Sequence, residues 1–470
     1  MSTIGLAHAQ LDTVITLGQA AALALTHNPR LQVFPFDVRA AEARILQASL
    51  WPNPALVFEV EDVRLSDGPT ERLRTASIGG DGISFERSEM DGGPAGFREA
   101  EFTLRVSQLF LLGGKRDKAV AVSLRERDAA AWDYEIARAN VMRDVASAYV
   151  NVLAAQARVA EQTNLQALAR EVEQTITARA DAGKVSPIEG KRTSVQTASA
   201  TIALERAERA LGQARVALAS TWGEALPQFT RAGGTLDQTA ELPVLAALLE
   251  RTTNNPDLKR WQYELAQREA ELSLARAHRL PDLTASLGLV TQGVDERRSR
   301  GLSFGTSGSS ISRSKLSFGE GRENRIELEL SIPLPIFNRN QGNIREAEIF
   351  VERTGAEQRV TVSQIRAAIA DWYEQAHAAF EEITRLTETA LPVAEDVFES
   401  IQIGYEAGKF GYLEVLDAQR TLFELRMQLL DAYTAYHLAV VEIERLLGAP
   451  VWADATLFGA STQENFHVVE

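Results

Sequence analysis

AGKFGYLEVLDAQ, residues 407–419, restates in altered form a stretch far upstream, AGKVSPIEGKRTS, residues 182–194. Each places a glycine where a helix C-terminus favours positive φ, followed at once by the start of another helix. Ser186-Pro187-Ile188-Glu189 predicts a capping box with proline at the first helical position. The two copies stand 225 residues apart, and so do Glu189 and Glu414, Ala207 and Ala432, Ala214 and Ala439, and Gly223 and Gly448. Asn28-Pro29 and Asn255-Pro256, Glu42-Ala43 and Glu269-Ala270, and Pro54 and Pro281 match at an offset of 227. Matches that hold one offset over such a distance predict two tandem structural repeats, 11–227 and 228–450. Residues 1–10 form an N-terminal segment and 451–470 a C-terminal tail.

Both repeats predict one order of elements. A helix follows each Asn-Pro, at about 30–50 and 257–279. A β-hairpin follows, about 55–110 and 282–333, each with a Gly/Ser/charge-rich loop, about 64–99 and 293–324. Long helices then run over about 115–222 and 340–447, broken at the Ala-Gly-Lys turns. Over sixty helical residues at 1.5 Å each give about 100 Å, a length suited to a coiled coil.

The strands alternate. In EFTLRVS, Phe102, Leu104 and Val106 oppose Thr103, Arg105 and Ser107; in RIELELSI, Ile326, Leu328, Leu330 and Ile332 oppose Glu327, Glu329 and Ser331. Period two with one apolar and one charged face fits two structures. One is a soluble antiparallel sheet whose apolar face packs on a helix. The other is a transmembrane barrel, apolar outside and polar inside. Alternation alone favours the first, because such sheets are commoner. The long polar loops and very long helices shift the reading to the second.

Composition narrows the function. With no cysteine there is no disulfide, thiolate metal site or cysteine nucleophile. A net charge of −15 argues against nucleic-acid binding. The six histidines are scattered, with no metal-ligand spacing and no His/Asp/Ser convergence, so neither an enzyme nor a cofactor is expected. No nucleotide-binding loop is present. LAHAQ, residues 6–10, reads either as the end of a secretory signal, through Ala7-His8-Ala9, or as a chance match without the regions that should precede it.

WPNPALVFEVEDV (51–63), VSQLFLLGGKRDKAV (106–120), SIPLPIFNRNQG (331–342) and AGKFGYLEVLDAQRTL (407–422) resemble the outer-membrane factor (TolC-like) family. They look most like its heavy-metal branch, of the cobalt–zinc–cadmium type. The resemblance covers nearly the whole chain. It implies an α+β membrane protein, a trimeric channel-tunnel with four transmembrane β-strands per protomer. Twelve strands would close the barrel, continuous with a periplasmic α-helical barrel. It also implies a passive exit duct partnered by a periplasmic adaptor (membrane fusion protein), an inner-membrane RND pump and outer-membrane lipid. A drug-efflux or type I secretion duct is the runner-up. A soluble coiled-coil structural protein is the alternative of another class.

By the same resemblance, Gly183, Lys184, Val185, Ser186, Gly408, Lys409 and Phe410 are adaptor-contact tips, although a helical hairpin needs such turns in any case. Glu414, Asp417 and Glu189 are expected to ring a cation-attracting periplasmic gate. Capping accounts for Glu189 and nearly for Glu414, which falls at the third helical position if Gly411 is the N-cap. It does not account for Asp417, a poor helix former one turn further on. Tyr405 matches a tyrosine of the family's gate lock, but Phe410 stands where a basic residue is usual. Lys409 or Arg192 is the expected substitute.

Overall fold

The computed structural model describes residues 14–63, 65–66, 71–79, 82–90, 96–97, 100–183, 185–294, 298–305, 308–312 and 321–452. The N-terminal segment 1–10 and most of the C-terminal tail lie outside them. The first repeat runs β1 (Val14–Ile15), α1 (Leu17–His27), α2 (Phe34–Ser49), β2 (Ala55–Glu61), β3 (Glu71–Gly79), β4 (Gly82–Met90), β5 (Glu101–Phe110), α3 (Lys115–Asp181) and α4 (Pro187–Ser220). After β6 (Arg231–Ala232), the second runs α5 (Leu245–Glu250), α6 (Pro256–Ala277), β7 (Leu283–Val294), β8 (Arg298–Gly305), β9 (Gly308–Ser312), β10 (Gly321–Ser331), α7 (Gln341–Arg385), α8 (Leu391–Glu406) and α9 (Tyr412–Leu447).

Two corrections to the sequence reading follow. The hairpin loops 64–99 and 293–324 are not loops throughout: β3, β4, β8 and β9 form an antiparallel sheet in that order. The second long helical segment is also not one α-helix. A single π-helical turn, Leu386–Ala390, separates α7 from α8, and the Leu391 N–H reaches back five residues to Leu386 O. Pro392 explains it, because proline offers no N–H and its ring crowds the preceding turn.

The chain divides into two compact units. One takes the described parts of Met1–Ile45, Ser123–Glu269 and Ile349–Glu470. Its core has two clusters. Val141, Val145, Tyr149 and Leu153 of α3 meet Ala20 and Ala24 of α1, Leu218 of α4 and Trp222. Ile365, Ile369 and Ile383 of α7 meet Tyr436, Val440, Ile443 and Leu447 of α9. The repeated Asn-Pro and Gly close both halves alike. Asn28 Nδ2 donates to Thr221 O at 2.7 Å, and Asn255 Nδ2 donates to Leu446 O at 2.6 Å. The Asn Oδ1 then takes a local N–H, from Arg30 and Leu258 respectively. A β-carbon on Gly223 would press on Pro29, and one on Gly448 would stand 2.8 Å from Asn254 O. The Asn-Pro and Gly matches thus lie where each last helix is tied to the start of its own repeat.

The other unit is Leu46–Val122 with Ala270–Glu348. Its main sheet is antiparallel, in the order β10-β7-β5-β2, so β10 and β2 are open edges among the described residues. Register aligns Leu56, Val106, Leu287 and Leu328 in one row, and Phe58, Leu104, Leu289 and Ile326 in the next. All eight are exposed, Leu328 at 74% and Phe58 at 67%. The opposite face is ion-paired: Arg105 reaches Glu327 and Glu329 at 3.7 Å each, and Arg325 meets Glu101 and Glu327 at 3.0 Å. Among the described residues no helix covers these apolar rows, whereas the soluble-sheet reading expects one packed on them. Among the described residues no helix is long and apolar enough to cross a membrane.

Candidate functional site

The second reversal joins α8 to α9. The Gly408 N–H donates to Tyr405 O at 3.0 Å and the Lys409 N–H to Gly404 O at 2.8 Å. This is a Schellman closure, and it requires the φ of 76° found at Gly408. The chain then folds Phe410 back over α8, where a β-carbon on Gly404 would collide with its ring. Phe410 therefore packs the turn, while remaining 45% exposed. Lys409 is exposed and forms no ion pair among the described residues.

The first reversal is similar at its start. Gly183 has φ 71° and its N–H donates to Ala180 O at 2.9 Å. Lys184 lies outside the described residues; Val185 is half-buried and Ser186 exposed. The expected capping box is replaced by a simpler cap. The Ser186 hydroxyl accepts from the Ile188 N–H at 3.3 Å, and the Glu189 N–H goes to Ser186 O at 2.9 Å. A tight first turn after Pro187 leaves that third N–H already bonded to backbone.

Glu414 and Asp417 share a groove of about 390 Å³ with Val393, Val397 and Ile401 of α8 and Thr421 of α9. The 3.6-residue period sets this. Tyr412, Val415, Ala418 and Leu422 are buried on one side of α9, so Glu414 and Asp417 come out on another. Glu414 folds back to the helix start, its Oε2 standing 2.8 Å from where a β-carbon on Gly411 would be. This is the N-terminal position that suits a carboxylate. Asp417 has no such arrangement. Arg420, one turn on, pairs with Glu424 at 2.7 Å, and Arg426 pairs with Glu395 at 2.8 Å. Among the described residues no cation pairs with Asp417, and both acids are exposed. Glu189, in the first turn of α4, does not line the groove.

Tyr405 has a partner that the sequence reading missed. The Arg179 guanidinium sits 5.1 Å above its ring, and Tyr412 lies 6.5 Å away. The Tyr405 hydroxyl is buried and has no hydrogen-bond partner among the described residues. Burial pushes Tyr412 up to about 12, with Tyr405 and Glu173 adding to the shift. Within the chain, the cation over this ring comes from the last turn of α3. In sequence, Arg179 reads only as a basic residue suited to a helix C-terminus. Among the described residues no three His, Asp or Glu side chains are grouped to hold a metal ion.

Long helices in two copies, a sheet with a bare apolar face and an unpaired acid groove converge with the family model for outer membrane efflux proteins, which matches residues 20–224 and 249–449. The chain belongs to that family. The model matches twice, one block in each half of the chain. This efflux protein is 31% identical over 434 residues to the cobalt-zinc-cadmium resistance protein CzcC of Cupriavidus metallidurans, covering 92% of this chain and 90% of that one. It is 26% identical to the cation efflux system protein CusC of Escherichia coli K12, covering 83% and 82%. A crystal structure of CusC superposes with a TM-score of 0.66 at 18% identity, over 92% of each chain, which shows a shared fold.

Proposed function

We propose that the protein is the passive exit duct of a tripartite RND-type efflux system, carrying divalent heavy-metal cations across the outer membrane. The observation that carries this is the β10-β7-β5-β2 sheet, with its exposed apolar rows, ion-paired opposite face and two open edges. An open edge in lipid leaves backbone groups unbonded, which costs several kcal/mol each. The sheet therefore needs further copies to close, and three copies supply twelve strands. The apolar rows then meet lipid and the Arg105 and Arg325 networks face the lumen. The similarity to CzcC and CusC, whose names specify cation resistance and efflux, supports the cargo class.

In this reading the groove acids act at the periplasmic mouth. Threefold symmetry makes six carboxylates of Glu414 and Asp417, with Glu189 adding three, and a negative ring at a narrow entrance favours cations over anions. Gly183, Lys184, Val185, Ser186, Gly408, Lys409 and Phe410 form the tips offered to a periplasmic adaptor, and the inner-membrane pump supplies the energy. Arg179 over the Tyr405 ring holds the two helical hairpins together at that end. The test is deletion of the gene, with cellular zinc, cobalt and cadmium read by elemental mass spectrometry. The expected result is accumulation and sensitivity, reversed by the intact gene. Sensitivity confined to organic compounds would move the protein to the drug-efflux class.

A further inference from the structure

We propose that the cleft where the strands give way to helices binds the anionic phosphodiester headgroup of a membrane glycerophospholipid; this rests on the reading that the β10-β7-β5-β2 sheet spans the membrane. The cleft has a volume of about 660 Å³ and lies between the end of α6, the Pro281 corner, the Pro333–Pro335 stretch and the start of α7. Lys115 lines it, but its ammonium is held by Asp282 at 2.6 Å, which leaves that pair neutral. Arg279 is different. It is exposed, and among the described residues no carboxylate lies within ion-pair distance of it. The Asn338 side chain adds a donor, since its Oδ1 already accepts from the Asn340 N–H at 2.9 Å while its amide nitrogen is uncommitted among the described residues. Glu271 stands on the helical wall.

The other half of the cleft is apolar. Leu280 and Leu334 line it and are 51% and 75% exposed; Ile336 and Phe337 follow at 61% and 89%. The place in the fold agrees, because β7 begins at Leu283 and β10 ends at Ser331, where the bare apolar rows stop. Trp51 lies near this junction, edge-on to Phe110 at 6.4 Å, with the Arg116 guanidinium 4.6 Å above its ring. An unpaired guanidinium beside exposed leucines suits one molecule with a phosphate and acyl chains attached. A free phosphate would satisfy Arg279 and leave the leucines in water.

The experiment is native mass spectrometry of the full chain, purified in non-ionic detergent. It is offered dioleoylphosphatidylglycerol, dioleoylphosphatidylcholine or inorganic phosphate. The expected result is preferential retention of phosphatidylglycerol, weakened about fivefold by Arg279→Ala and largely kept by Arg279→Lys. Phosphatidylcholine, whose choline cation offsets its phosphodiester, should bind more weakly and lose less on Arg279→Ala. Undiminished phosphatidylglycerol binding by Arg279→Ala, or displacement of the lipid by an equal concentration of phosphate, would overturn the proposal. Outer-membrane fractionation of each protein separates the two levels. A native chain missing from outer membranes sinks the spanning reading itself. A correctly located chain with lipid binding indifferent to Arg279 sinks only the headgroup site.

Discussion

At the scale of single residues, Asp417 stands out because local structure does not use it. Glu414 folds onto its helix start, Arg420 pairs with Glu424, and among the described residues the Asp417 carboxylate lines the groove without an ion pair, Arg420 acting on it only from a distance. Alanine is the better helix former, so Asp417→Ala should leave the fold at least as stable. Together with Glu414→Ala it should lower the cation-to-anion permeability ratio in planar bilayers. An unchanged reversal potential would remove these acids from the gate. Gly448 is the opposite case, fixed by geometry. It has φ 66°, and its Cα faces the Asn254 carbonyl oxygen. Gly448→Ala should cost about 2 kcal/mol from the left-handed backbone and the clash, read as a lowered thermal midpoint.

At the scale of elements, the C-terminal end of α9 is clipped to the segment after it. Glu444 Oε1 accepts from the Val451 N–H at 3.0 Å, while Arg251 donates to Val451 O at 2.6 Å and to Pro450 O. Burial pushes the Glu444 carboxyl up to about 7, with the Val451 and Arg251 contacts only partly opposing it. The folded protein then holds this proton more tightly than the unfolded chain. Stability from this group is full below the ordinary carboxylate range and is lost as pH rises toward about 7. Glu444→Gln keeps an acceptor for Val451 and removes the titration. The variant should match the native thermal midpoint near pH 4.5 and exceed it at pH 8; a constant difference across that range would contradict the assignment. Elsewhere the element bounds followed from local signals. Gly183 and Gly408 stop helices, Pro187 starts one, and Pro392 distorts one, as backbone geometry requires. The extra strands β3, β4, β8 and β9 did not announce themselves. ERLRTASIG and GISFERSEM carry glycine, serine and mixed charge, and strand propensity depends on the neighbouring strand as much as on the residue.

At the scale of the whole molecule, the deciding feature is an apolar sheet face that stays exposed among the described residues. Leu328 lies in the row Leu56–Val106–Leu287–Leu328 and is 74% exposed. Leu328→Arg should cost about 2–4 kcal/mol per copy if the row lies near the middle of the bilayer. The expected outcome is loss of the protein from outer-membrane fractions, with Leu328→Val retained. Native levels of the arginine variant would show that the row does not meet lipid.

The sequence by itself determined the duplication, the order of the principal elements and the two reversals. These rest on glycine φ, proline's missing N–H and hydrophobic period, all of which act within a few residues. Only the tertiary structure decided which strand face stays bare, because alternation defines two faces but not what lies against either. It alone also put Arg179 over Tyr405, residues that helix periodicity does not relate. The same holds for the absence of an ion pair at Asp417 among the described residues. Whether a carboxylate is neutralised depends on which cations the fold has already committed, and Arg420 and Arg426 are engaged elsewhere.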